Sequence, residues 1–144
     1  MNEQNQPIDA AQTADAGVQA FLDSYARALT AGDGKAVADL WAFPALLVAD
    51  GEVKMVQTPD EVAQLFAAAK AQYNAQGVVD TRGEIQRLQW LTTRIVAVDA
   101  RWPQLDATGA TRSAEQATYT LCMRENGGFG LRVAVMRGVI ERGI

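Results

Sequence analysis

DAGVQAFLDSYARALTAGDGKAVADLW (residues 15–41) is the stretch from which the fold is read. Val18, Phe21, Leu22, Tyr25 and Leu29 recur at helical spacing and form one apolar stripe. The spacing predicts an amphipathic helix from about Asp15 to Ala31. Gly32 follows as a helix stop, because only glycine enters the left-handed conformation without a steric cost. Asp33 can then cap a shorter second helix running through Trp41, with Val37, Leu40 and Trp41 turned inward. Pro44 excludes further regular helix, since it lacks an N–H and clashes with the preceding turn.

Downstream, Ala45–Ala49 reads as a short apolar strand. Asp50-Gly51 is a two-residue hairpin signal, and Val53–Gln57 is the return strand. Thr58-Pro59-Asp60-Glu61 then combines a capping box with proline in the first turn. It should open a third helix burying Val62, Leu65, Phe66, Ala69 and Tyr73 and ending at Gly77. Beyond Gly77 the period changes from helical to alternating. Long strands are predicted over Val78–Thr92, Arg94–Gln104, Arg112–Glu125 and Phe129–Val139. Strands of that length must twist and curl. The predicted class is α+β: helices packed on the concave face of a strongly curled, mostly antiparallel sheet, forming an open cone.

Alternation sorts the faces. Val96, Val98, Ala100 and Trp102 form an apolar file expected to meet the helices, with Asp99 and Arg101 pointing away. Tyr119, Leu121 and Met123 alternate with Thr118, Thr120 and Arg124. Ala134 and Met136 alternate with Val133, Val135 and Arg137. The second face carries enough Val, Thr and Cys to suggest a homodimer through the outer sheet face.

Composition excludes several chemistries. The 144 residues contain no histidine, so a Ser-His-Asp triad, a Cys-His pair and a His-ligated metal are all ruled out. No cofactor or metal is expected. The single Cys122 cannot form an intramolecular disulfide, and it reads as inert core packing. A net charge of −4 and no dense Lys/Arg cluster argue against nucleic acid. Residues 1–13 read as a polar tail without the pattern of a signal peptide, and 14–144 as a single domain. No apolar stretch is long enough for a membrane span, so the expected location is the cytoplasm. Gly127-Gly128-Phe129-Gly130 joins two strands with no helix following, and is therefore a turn rather than a phosphate cradle.

Tyr25-Ala-Arg-Ala-Leu29-Thr-Ala-Gly32-Asp33, with Val37 and Leu40-Trp41 after it, resembles the opening of the nuclear-transport-factor-2-like superfamily. That superfamily includes SnoaL-like polyketide cyclases and ketosteroid isomerases of cystatin-like fold. Val135-Met136-Arg137-Gly138 and the order of elements extend the likeness over about Ala14–Val139. The resemblance implies a cone-shaped pocket but no single activity, because the cone hosts many chemistries. Carried over residue by residue, the isomerases' oxyanion donor falls on Tyr25. Their catalytic base falls on Ala49, with Asp50 one residue later as the candidate base. Their protonated aspartate falls on Leu121. One functional position of three is thus kept.

Tyr25 is either a core tyrosine bonded to a backbone carbonyl or buried water, or a donor aimed at a ligand oxygen. Trp41, Phe43, Trp90, Trp102 and Tyr119 are either core fillers or an aromatic pocket lining, which Leu121 and Met136 would complete. The leading expectation is a domain that binds a small, apolar, oxygen-bearing molecule. The alternatives are an isomerase, cyclase or dehydratase using Tyr25 and Asp50, and a dimeric interaction module whose cone is filled.

Overall fold

The computed structural model describes residues 5–142, with side chains described for residues 14–139. Among the described residues four helices precede or cover one seven-stranded sheet. The order is α1 (Asn5–Ala31), α2 (Gly34–Asp39), β1 (Trp41–Ala49), β2 (Glu52–Val56), α3 (Pro59–Leu65), α4 (Ala69–Ala75), β3 (Asp80–Thr81), β4 (Glu84–Trp90), β5 (Ile95–Leu105), β6 (Thr111–Met123) and β7 (Phe129–Arg142). The strands lie in the order β2-β1-β7-β6-β5-β3, with β4 also paired to β5. All pairs are antiparallel except β1 with β7.

The stripe of α1 behaves as its spacing dictates: Val18, Phe21, Leu22 and Tyr25 are buried against the sheet. The helix begins ten residues earlier than predicted, at Asn5 rather than Asp15. At its other end, Gly32 takes φ +70°, and the Asp33 N–H reaches back to the Ala28 carbonyl. The Asp33 carboxylate then caps α2 through the Ala36 N–H at 3.0 Å. Helix α2 ends at Asp39, short of the predicted Trp41, which instead opens β1.

The capping box on α3 forms as expected, but the predicted third helix is two. The chain turns at Phe66–Ala68 and restarts as α4. Of the residues expected to be buried there, Val62 is, Tyr73 is only half-buried and Leu65 is exposed. Helix α4 has too few apolar side chains to extend one buried stripe, and it lies over the end of the cone. The predicted strand Val78–Thr92 is also interrupted. At Gly83 a β-carbon would lie 2.8 Å from the Leu22 β-carbon and 3.0 Å from the Trp102 ring, so α1 presses on the break between β3 and β4.

The apolar file Val96, Val98, Ala100 and Trp102 faces the helices, with Ala117, Tyr119 and Leu121 opposite it on β6. Arg101 points the other way and bonds the Glu84 carboxylate at 2.7 Å, while Arg82 reaches the second oxygen at 2.9 Å. Partial burial opposes ionisation of Glu84, but these two bonds outweigh it and hold its carboxyl below the usual range. Asp99 accepts from the Thr118 hydroxyl. Cys122 sits on this outer face, half-buried, and not in the core. Register shifts between β6 and β7 supply the curl. One of them makes Arg132 an extra residue, so Leu131 and Ala134, three apart, both face the helices.

Candidate functional site

The curled sheet and the helices leave a cavity of about 300 Å³. The three tryptophans therefore do not fill the cone. That size lies at the low end for small-molecule sites. Its floor is aromatic. Tyr25 comes from α1, Trp41 from the start of β1, Trp102 from β5 and Tyr119 from β6, and all four are buried. The Tyr25 ring lies 6.0 Å from Trp102, 6.2 Å from Tyr119 and 6.3 Å from Phe66, within the range of favourable ring contacts.

Two indole–phenol bonds organise the floor. Trp41 Nε1 donates to Tyr25 Oη at 3.0 Å, and Trp102 Nε1 donates to Tyr119 Oη at 3.0 Å. The indole of Trp41 is a partner for Tyr25 that the sequence did not suggest. Each phenol oxygen is used as an acceptor, and neither O–H finds an acceptor among the described residues. Burial pushes both phenols well above their ordinary pKa, the Trp N–H bonds opposing it only in part. Both hydroxyls therefore keep their protons at neutral pH.

Higher in the cone lies a carboxylate. Glu115 Oε2 accepts from Tyr73 Oη at 3.0 Å and from Gln104 Nε2 at 2.5 Å, and Ser113 Oγ donates to Gln104 Oε1 at 3.0 Å. The Tyr73 bond ties α4 across the cavity to β6. Burial, with the charge of Glu115 beside it, pushes the Tyr73 phenol up as well. At the rim, Leu65, Val79 and Met136 are 37%, 48% and 37% exposed, with Lys70 and Asp80 among them.

The cavity brings together Tyr25, Trp41, Trp102, Tyr119 and Met136 of the residues singled out in the sequence. The others lie elsewhere. Asp50 is exposed in the turn between β1 and β2, because Asp50-Gly51 makes the hairpin and no bulge redirects it. Among the described residues the carboxylates that line the cone are Glu115 and Asp80, not Asp50. Phe43 packs against the core, next to a cis bond to Pro44. Trp90 packs at a tilt against Phe129, with ring centroids 6.1 Å apart, and donates its indole N–H to Asp15. Leu121 is fully buried in the core. Glu115, Gln104, Tyr73 and Leu47 were not anticipated as lining. For the first two a signal was present: Gln104 continues the inward file of β5, and Glu115 shares the parity of Tyr119. Polar residues in an inward file are the ones to suspect. Arg137 is exposed near a register shift.

Among the described residues no helix is long and apolar enough to cross a membrane, and no group of three acidic or Cys side chains could hold a metal ion.

Solved structures share this architecture. A domain of unknown function with a cystatin-like fold from Nostoc punctiforme superposes with a TM-score of 0.68 at 12% identity, covering 88% of this chain and 77% of that one. An NTF2-like protein with a cystatin-like fold from Novosphingobium aromaticivorans gives 0.68 at 10% identity, covering 96% and 89%. A ketosteroid isomerase-like protein from Erwinia carotovora atroseptica gives 0.63 at 19% identity, covering 88% and 95%. At these identities the likeness establishes the fold alone. No curated protein matches the chain significantly. The family described as NTF2-like protein (DUF6841) matches residues 14–138. Curled sheet, helical cover and matched span agree, and the chain belongs to this NTF2-like family.

Proposed function

We propose that the cone binds a small, largely apolar molecule that places an acceptor oxygen against the hydroxyls of Tyr25 and Tyr119. One observation carries this reading: two neighbouring phenols in the floor of an open cavity each receive an indole N–H, yet neither donates to a described residue. A hydroxyl that already accepts a bond is a stronger donor through cooperative polarisation. A ligand carbonyl would satisfy both phenols, and the aromatic walls would cover its apolar body.

Tyr25→Phe tests this with benzylacetone as the probe. The variant leaves Trp41 Nε1 buried without a partner, so stability should fall by about 1–3 kcal/mol. Benzylacetone affinity should fall by about 0.5–1.5 kcal/mol, the net worth of one hydrogen bond. Adding Trp41→Phe removes the stranded donor and should recover stability without recovering affinity. Thermal unfolding beside calorimetric titration separates the two effects. Benzylacetone affinity unchanged by Tyr25→Phe would refute the donor role, and absence of binding to the wild type would refute the site.

The outer sheet face supports a second copy of the chain as partner. Leu46, Val48, Ile95, Ala97, Val133 and Val135 are only half-buried there, beside Thr118, Thr120 and Cys122. A two-fold contact across it would bury on the order of 1,200–2,000 Å² in total. Sedimentation at micromolar concentration should give a dimer, and a monomer under those conditions removes the proposal.

A further inference from the structure

We propose that the ligand of the cone is an organic cation whose protonated amine is received by Glu115, an inference that rests on the cone being a ligand site. Glu115 Oε2 holds both protein bonds, from Tyr73 and Gln104, and Oε1 has no partner among the described residues. Both donors are neutral. The ion pairs found among the described residues converge on Glu84, at the start of β4, and no lysine or arginine nitrogen of a described side chain lies within 4.0 Å of Glu115. Lys70 shares the cavity but is exposed at its rim, with its aliphatic stem lying across Gly32. Asp80, also at the rim, adds a second negative group.

A carboxylate inside a partly enclosed cavity is costly unless a cation balances it. The walls suit a cation too. Tyr25, Trp41, Phe66, Trp102 and Tyr119 surround the space below Glu115, and ring faces attract a desolvated ammonium, tryptophan most strongly. A neutral hydroxyl could bond Oε1 but would leave the charge uncompensated. An anionic ligand would be repelled by both Glu115 and Asp80. The net charge of −4 favours entry of a cation over that of an anion.

The test is a matched pair of probes: para-methoxyphenethylamine, protonated at pH 7, and para-methoxyphenethyl alcohol, its neutral counterpart. Calorimetric titration of the wild type should show the amine binding roughly tenfold or more tighter than the alcohol, as a close charge pair at intermediate dielectric and cation–π contact imply. Glu115→Gln, which can still accept from Tyr73, should abolish that preference. Glu115→Asp, which keeps the charge on a shorter arm, should retain a reduced preference. Asp50→Asn removes one negative charge far from the cavity and should leave the preference intact. Equal binding of amine and alcohol to the wild type overturns the inference while the site stands, as does binding of benzylacetone without either probe. Persistence of the preference in Glu115→Gln overturns it as well, since general charge attraction would then explain it. If neither probe nor benzylacetone binds, the ligand site itself fails, and the inference with it.

Discussion

Trp102→Ala should lower the stability of the fold by about 3–5 kcal/mol, the loss typical of removing a buried aromatic side chain. Trp102 is buried between α1 and the sheet, 6.0 Å from the Tyr25 ring, and its indole N–H satisfies Tyr119. Truncation leaves a void that joins the existing cavity, so the surroundings cannot collapse to fill it. It also leaves Tyr119 Oη without its donor. For a domain of this size the midpoint of thermal unfolding should drop by roughly 10–15 °C. A drop of only a few degrees would mean that Trp102 packs loosely, and that the floor of the cone is less ordered than the two indole–phenol bonds indicate.

The second large effect is expected at Gly83, and it comes from too much side chain rather than too little. Its backbone φ is not in the left-handed region, so the requirement for glycine here is one of space. A methyl group would sit 2.8 Å from the Leu22 β-carbon, which is fixed by α1, and 3.0 Å from the Trp102 ring, which is fixed by packing and its bond to Tyr119. Neither neighbour is the free end of a flexible chain. Gly83→Ala should therefore destabilise by about 1–3 kcal/mol through overpacking. The Gln19 side chain, which donates to the Gly83 carbonyl at 2.9 Å, would be displaced with it. Urea denaturation followed by far-UV circular dichroism measures the loss. Wild-type stability in Gly83→Ala would show that α1 does not approach the β3–β4 break this closely.

The local signals in the sequence were sufficient for the elements that depend on neighbouring residues. The stripe of α1, the Asp33 cap, the Thr58–Glu61 capping box and the Asp50-Gly51 hairpin are all decided within a few residues, and all form. The inward file of β5 follows from period-two alternation, which a buried face enforces. What failed were the boundaries that depend on distant contacts. Trp41 belongs to a strand because β7 pairs with it, and the strand from Val78 breaks where α1 presses on Gly83.

For the site, the sequence determined which residues carry useful chemistry, and the tertiary structure decided which of them meet. Tyr25 and Trp102 could be placed on inward faces from periodicity alone. That the hydroxyl of Tyr25 lies against the indole of Trp41, sixteen positions away, could not. The bond depends on the end of α2 and on the parallel pairing of β1 with β7. Asp50 lay one residue from the position the resemblance favoured, but the hairpin turned it into solvent. Glu115 looked in the sequence like one charge among many on a long strand. It enters the cone because β6 keeps Glu115, Ala117 and Tyr119 on one face while α4 brings Tyr73 over it. Side-chain direction is a local property with a period of two or 3.6, whereas the meeting of groups from different elements depends on how the whole sheet curls.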